Sequence, residues 1–341
     1  MQFTLHTTFP NGLTASQWNA LLGESICDVP FLRHEYLSAW WATRGGGEWS
    51  DDAQLALVTA EADGRLAGIA PLFFARNREG EPSLLLLGSI EISDFLDLIV
   101  RPGDLDAFLP GLLDHLAGLP FDWQALDWHN LLETSPSLPR LQAEAARRGW
   151  SCKVEPTYHA PSIPLTGDFE TYLGGIDKKQ RHEIRRKMRR AEELGGVDWH
   201  IVQDGAQLEA GMDAFFDLMA GDPHKADFLT AKMRAQMKAG AGAAFEAGWL
   251  QLAFLTIHGE KAAGYLNFDY GGRIWVYNSG IDRRFMDYSP GWVLLGYLLR
   301  WANENKRQTF DFLRGDEDYK YRFGGVDRMV VRARVGRSDP N

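Results

Sequence analysis

Apolar and polar positions along this chain fall into one pattern that occurs twice. Leu55–Ala60 and Leu66–Phe74 are apolar runs of strand length, and Asp63-Gly64 between them predicts a hairpin turn. Leu84–Leu87 and Phe95–Val100 predict further strands. Over Leu105–Ala117, residues Leu105, Phe108, Leu109, Leu112, Leu113 and Leu116 share one helical face. A short strand at Ala125–Trp128 and a helix over Leu138–Arg148, stopped by Gly149, complete the set. The order then returns. Trp249–Ile257 and Ala262–Asp269 flank the turn His258-Gly259, and a second turn at 270–273 precedes Ile274–Gly280. A strongly apolar helix over Pro290–Asn305 leads to a strand at Thr309–Leu313.

The stretches LALVTAEADGRLAGIAPLFF and LQLAFLTIHGEKAAGYLNFD can be laid side by side. Each has a turn glycine (Gly64, Gly259) and then a strand glycine (Gly68, Gly264), one residue farther on in the second. Such self-similarity predicts a duplication. The expected fold is α/β with mixed sheets, in two halves of 1–160 and 161–341. The boundary is set near Pro156–Gly167, where Pro156, Pro161, Pro164 and Gly167 interrupt the pattern.

Between the repeats, Asp177–Arg190 reads DKKQRHEIRRKMRR, a helix of strong positive charge. Lys178, Arg181, Arg185 and Arg189 recur at helical spacing and share a face, while Ile184, Met188 and Ala191 form a thin apolar stripe able to dock. Clustered guanidinium forks suit phosphate oxygens, so Arg181, Arg185 and Arg189 are expected to hold an anionic part of a substrate. A plain solvated face is the alternative. The setting makes the cluster stand out, because the 341-residue chain carries 36 basic and 46 acidic residues. That acidic balance argues against nucleic-acid binding as the main task.

Composition narrows the class further. A length of 341 residues suits two domains. Cys27 and Cys152 are too few for a disulfide framework, and a reduced, cytoplasmic setting is expected. No signal-peptide pattern and no transmembrane run are visible, so no membrane insertion is expected. Neither GxGxxG nor GxxxxGK[ST] occurs, which removes support for dinucleotide and P-loop sites. HExxH, zinc spacing and the GxSxG elbow are missing too, so no metal is expected. Gly45-Gly46-Gly47 runs into the acidic Glu48-Trp49-Ser50-Asp51-Asp52, ill suited to phosphate.

The informative stretch is Tyr277–Gly325. A strand ends near Gly280, and Ser289-Pro290-Gly291 opens the apolar helix, with Ser289 expected as N-cap and Pro290 as first residue. Free N–H groups and the helix dipole make this end a natural anion site. The pattern SPGWVLL followed by FDFLRGDEDYKYRFGG resembles the GNAT superfamily, in the two-GNAT branch known as CelD-like, related to the Fem-type peptidoglycan aminoacyltransferases. PFLRHEYLSAWW, SDFLDLIV and the basic helix extend the resemblance over most of the chain. It implies tandem GNAT-like halves with an acetyl-CoA or other acyl-CoA site in the C-terminal half. Ser279, Gly280 and Ile281 would then meet the pantetheine arm, and Ser289, Gly291 and Trp292 would supply the pyrophosphate turn. The usual Arg-Gly-x-Gly loop is replaced here by Asp287-Tyr288-Ser289-Pro290-Gly291, in which Pro290 has no N–H to donate.

Acyl transfer needs a base, an oxyanion donor and an acid for the departing thiolate. Asp311 and Glu317 are the candidate bases, Tyr319 the acid, and Lys320 a contact to phosphate or acyl oxygen. The expected activity is direct acyl transfer to an amine or hydroxyl of a small molecule, saccharide or envelope precursor. Aminoacyl transfer from charged tRNA, by Fem-type likeness, is the second expectation, and a non-catalytic binding protein the third. No helical hairpin arm of the Fem kind is visible between Gln203 and Gly248. The N-terminal half is expected not to bind CoA, since Asp104 and Asp106 sit at its corresponding helix start.

Overall fold

The computed structural model describes residues 1–10 and 12–337. The chain divides into two compact units, Met1–Tyr158 with Met329–Asn341, and His159–Arg328. Each is α/β.

In the first unit, β1 (Gln2–His6) precedes helices α1 (Ala15–Gly23) and α2 (His34–Gly47). Short strands follow: β2 (Gln54–Leu55), β3 (Leu57–Ala62), β4 (Arg65–Ala70), β5 (Leu72–Arg76), β6 (Pro82–Leu86) and β7 (Ile99–Val100). Helix α3 (Leu105–Ala117) leads to β8 (Ala125–Leu132), α4 (Ser137–Arg147) and β9 (Ser151–His159). The six apolar residues expected on one face of α3 are all buried. An antiparallel sheet is ordered β1-β3-β4-β7, and a mixed one β2-β5-β6-β8-β16-β9, where β16 is the last strand of the chain, Met329–Gly336. Strand β16 pairs antiparallel with β8, so residues placed with the second half by sequence lie in the first unit's sheet. Buried Val331, Ala333 and Val335 alternate with half-buried Arg332 and Arg334, as suits a strand with one covered face.

The second unit opens with β10 (Ser162–Pro164), α5 (Phe169–Gly175) and the basic helix α6 (Lys178–Leu194). Asp177 caps α6 by accepting from Lys179 N and Gln180 N, and Ile184, Met188 and Ala191 are buried. After β11 (Val197–Ile201) come α7 (Leu208–Met219), α8 (Pro223–Phe228) and α9 (Ala231–Glu246), three helices that the apolar pattern did not separate. Helix α7 packs on β13 (Glu260–Tyr270) and β14 (Arg273–Ile281), and α9 packs on β12 (Leu250–Ile257), so they cover the sheet. Helix α10 (Pro290–Glu304), β15 (Thr309–Asp311) and α11 (Asp318–Arg322) complete the unit. The sheet order is β10-β15-β14-β13-β12-β11, antiparallel except for the parallel pair β14–β15 joined through α10. Eleven residues of α10 are buried, which explains why its apolar pattern runs all round.

Candidate active site in the second unit

Strands β14 and β15 begin side by side and then part. Their parallel pairing runs from Arg273↔Thr309 to Trp275↔Asp311 and stops. Strand β14 continues to Ile281, still paired on its other side with β13. At the parting point the β13–β14 register slips between Leu266 and Asn267, leaving Tyr277 as the extra residue of a bulge. Beyond it, β14 no longer has β15 as a ladder partner, and Ser279 O accepts from Lys225 Nζ. Ligands of α/β sheets bind at such openings beyond the carboxyl ends of strands.

The N-terminus of α10 belongs to the same region. Tyr265 on β13, opposite Ser279 in register, donates its hydroxyl to Gly291 O at 3.4 Å. The cap differs from expectation. Ser289 is left-handed (φ 53°, ψ 49°), and its side chain makes no cap bond. The chain enters α10 straight from a 3₁₀ turn, Arg283–Tyr288, where Ser289 N donates to Met286 O, and this conformation is not the extended one that capping requires. Val293 N is the first amide to bond back, to Ser289 O at 3.0 Å. With Pro290 lacking an N–H, the amides of Gly291 and Trp292 are the ones left without a protein acceptor among the described residues. Two amides at the positive end of a buried helix can grip an anion.

The glycines have packing reasons as well. A Cβ on Gly291 would stand 2.5 Å from Ile281 Cδ1, so Gly291 lets α10 close on β14. A Cβ on Gly280 would stand 2.5 Å from Met219 N, beneath the last turn of α7.

The residues after β15 divide into two groups. Asp311 is fully buried and accepts from Arg328 Nη2 at 2.8 Å and Leu313 N at 3.0 Å. Lys320, 2% exposed, donates to Arg314 O at 2.7 Å and Gly315 O at 3.2 Å and pairs with Glu317 Oε2 at 2.9 Å. Both therefore tie the loop 311–320 together. Glu317 itself remains largely exposed. Tyr319 packs edge-on against Phe312 at 5.9 Å, and burial holds its phenol well above the ordinary range, with Tyr265 and Glu317 adding to the rise. Such a phenol keeps its proton and can give it to a stronger base.

The basic helix reaches this region by a face other than the expected one. Arg181 donates to Leu173 O and Gly174 O at the end of α5, Arg185 pairs with Glu170, and Arg189 lies 3.6 Å from Glu193. Lys187 instead stands over the Trp292 ring at 4.2 Å, and burial pulls its pKa below the ordinary lysine value. The Trp292 ring also meets Phe323 at 4.6 Å. Beside Lys187, an open cavity of about 710 Å³ is lined by Lys179, His182, Arg186 and Arg322 with Glu183 and Asp318. Sequence spacing singled out neither Lys187 nor Lys225, which donates to Ser279 O at 2.5 Å. Helical spacing assigns residues to faces but does not say which face is met.

His159 pairs with Asp327 at 2.6 Å, and His224 is exposed on α8. Cys27 and Cys152 belong to the first unit and are unbridged; burial raises the Cys152 thiol. Among the described residues, no group of three or more His, Cys, Asp or Glu gathers as a metal site, and no helix is long and apolar enough to cross a membrane.

Residues 178–321 match the family model of the acetyltransferase (GNAT) domain. The second half carries a GNAT acyltransferase domain. The matched span begins with the basic helix and ends in α11, enclosing the parted strands. No curated protein matches the sequence. Solved structures share this chain's fold over nearly its full length at low identity. The crystal structure of FemX has a TM-score of 0.69 at 13% identity, covering 98% of this chain and 97% of its own. A conserved protein of unknown function from Bacteroides thetaiotaomicron VPI-5482 gives 0.62 at 14%, covering 98% and 100%. L-PGS from Bacillus licheniformis gives 0.57 at 12%, covering 97% and 94%.

Proposed function

We propose that the GNAT domain moves an acyl group from acyl-CoA, acetyl-CoA being the simplest donor, directly to an amine or hydroxyl of a small molecule, saccharide or envelope precursor. The observation that carries this is the parting of β14 from β15 beside the two free amides of α10. The edge at Ser279–Ile281 would bond the pantetheine arm, and Gly291 and Trp292 would hold the pyrophosphate, next to the left-handed Ser289. Tyr319 suits the acid that protonates the departing thiolate, because its phenol stays protonated. Glu317 is the more available base, since Asp311 is buried against Arg328 whereas Glu317, though paired with Lys320, is largely exposed. Binding of acetyl-CoA, followed as a rise in melting temperature, tests the reading. Failure of every CoA thioester to bind sinks it.

One observation favours aminoacyl transfer from charged tRNA as a second reading. The basic helix presents Lys187 at the start of α10, next to an open cavity rimmed by further cations. Stabilisation by charged tRNA, steeply weakened by salt, together with indifference to CoA thioesters would select it. Labelled acyl donor and intact-mass measurement separate direct transfer from a covalent route, in which an adduct would appear on Cys27, Cys152 or a serine at the rate of turnover.

A further inference from the structure

Where Ser279–Ile281 of β14 meet the end of α7, the sequence builds a small cavity beside the proposed donor edge. Two glycines allow it: α7's last turn lies on Gly280, and a Cβ on Gly221 would stand 3.0 Å from Ile281 O. This close approach carries Asp222 and Lys225 over the end of β14. Lys225 Nζ donates to Asn278 Oδ1 at 3.0 Å and to Ser279 O at 2.5 Å. An ammonium has three N–H groups, and these are its two acceptors among the described residues, so one donor is left over. Lys225 lines a cavity of about 220 Å³ with apolar walls from Leu218, Met219, Ile281 and Met286. Arg283 also lines it and has no ion-pair partner among the described residues, whereas its neighbour Arg284 pairs with Asp282 and Glu260. The cavity's carboxylate, Asp222, is engaged in capping α8, accepting from His224 N and Lys225 N. Burial pulls the Lys225 pKa down, Asp222 and Glu317 oppose the fall, and Lys320 adds to it. A half-desolvated ammonium of this kind gains from an anionic partner.

We propose that this cavity receives the acyl acceptor and selects a small amine carrying a carboxylate beside a short apolar body, with Lys225 and Arg283 reading the carboxylate. The volume is below the roughly 300–1,000 Å³ of drug-sized pockets, which limits the body to a short side chain. Calling the ligand the acceptor rests on the acyltransferase reading; recognition of the carboxylate can be measured without turnover. Titration calorimetry on the full chain would compare alanine, leucine and methionine with their own amides, with and without acetyl-CoA. The expected result is at least one acid binding roughly tenfold or more tighter than its amide, the scale of a charge-assisted bond. Arg283→Gln and Lys225→Met should each erode that preference, while Lys225→Arg keeps most of it. Arg283 is exposed at the rim, so its variant stays informative even if Lys225→Met disturbs β14. Acid and amide binding equally, or no acid binding at all, overturns the proposal. Acetyl-CoA binding without an acid preference would sink this inference alone; an acid preference without acetyl-CoA binding would support the cavity and sink the donor reading.

Discussion

The two halves start from the same hairpin and end with different sheets. In both, two residue pairs follow the turn and then the register slips: Ala62↔Arg65, Glu61↔Leu66, then Ala60↔Gly68; and Ile257↔Glu260, Thr256↔Lys261, then Leu255↔Ala263. The turns match as well, with Asp63 and His258 left-handed before Gly64 and Gly259. The halves diverge at Pro71. It cannot donate to a ladder, so β4 stops at Ala70 and the chain steps into another sheet as β5. Strand β13 has no such break and runs to Tyr270. As a consequence β7 and β8, joined through α3, lie in different sheets, and β8 takes β6 as its parallel neighbour. In the first half the parallel pair β6–β8 also ends early, after Leu84↔Leu126, but there the chain beyond β6 bonds to β8: Leu96 N donates to Asn130 O, and Asn130 Nδ2 to Ile90 O and Ser93 O. A frame of this kind thus keeps one opening and closes the other with the loop 90–96.

The comparison is broken most sharply by turnover. Tyr319→Phe should lower kcat roughly 10²–10⁴-fold, the scale of a lost general acid, while acetyl-CoA binding is kept. Because burial raises the phenol pKa, the acid form persists past the ordinary tyrosine range. Any alkaline loss of kcat that Tyr319→Phe abolishes should therefore lie above about pH 10. The first half should contribute nothing: Asp104→Asn and Asp106→Asn, at the start of α3 and paired with Arg65 and Arg140, should leave turnover and a one-site CoA stoichiometry unchanged. A second CoA per chain would end the contrast.

A shared feature gives the next largest effect. Asp127 and Asp311 are each the third residue of the strand after the crossover helix, each fully buried, and each paired with an arginine, Arg332 at 2.7 Å and Arg328 at 2.8 Å. Burial pushes the Asp127 carboxyl up, but bonds from His129 and Arg332 outweigh it and hold the pKa well below the usual carboxylate range. A carboxylate repeated in the half that lacks the opening is better explained by the frame than by catalysis. Asp311→Asn and Asp127→Asn should each cost roughly 3–5 kcal/mol in denaturant unfolding, as when one partner of a buried pair is removed. Loss of turnover at unchanged stability for Asp311→Asn alone would return it to the role of base.

Much of this frame was legible in the sequence, and the misses have physical causes. Helix α3 and the α10–β15 order followed from apolar spacing and turn residues. The strand glycines misled: Gly68 stands where Ala263 does, and Gly264 where Ile69 does. One residue of offset reverses the face. A Cβ on Gly68 would meet the Phe108 ring of α3, and one on Gly264 the Phe215 ring of α7. Helices α7 and α9 were hidden because their glycines and alanines, such as Gly211 and Gly240 to Ala244, weaken the apolar stripe. Strand β16 was missed because its partner β8 lies some two hundred residues away in sequence. At the candidate site, Tyr319 could be named from the sequence as a polar residue following the central helix. Lys225 could not be, since nothing in the sequence near it reports on β14.

Close packing in the working half yields a smaller effect. Gly280→Ala would push a methyl into the backbone of Leu218 and Met219, which cannot swing aside as a side-chain tip can. A loss of roughly 1–3 kcal/mol is expected, read as a lower melting temperature. Gly64→Ala, in open space at a left-handed turn, should cost only the backbone term, about 1 kcal/mol. Equal losses would mean that α7 yields easily and does not fix β14.

The smallest effect separates the two faces of α6. Arg181 and Arg185 are held by α5 through Leu173 O, Gly174 O and Glu170, so both are already engaged within the unit. Lys187 lies over Trp292, whose backbone amide is one of the two free at α10. A cation there adds to the positive end of the helix dipole, and a diphosphate bound at that end would feel both. Exposed cation–π and dipole contributions are each about 0.5–1 kcal/mol, or a few-fold in affinity. Lys187→Gln should therefore weaken acetyl-CoA binding about three- to fivefold and reduce its salt dependence, since one screened charge has been removed. The triple change of Arg181, Arg185 and Arg189 to Gln should leave that affinity near its original value and register instead as a small loss of stability from the α5 contacts. The reverse outcome, with the triple variant flattening the salt dependence and Lys187→Gln silent, would mean that the anion lies along the arginine face and not at the start of α10.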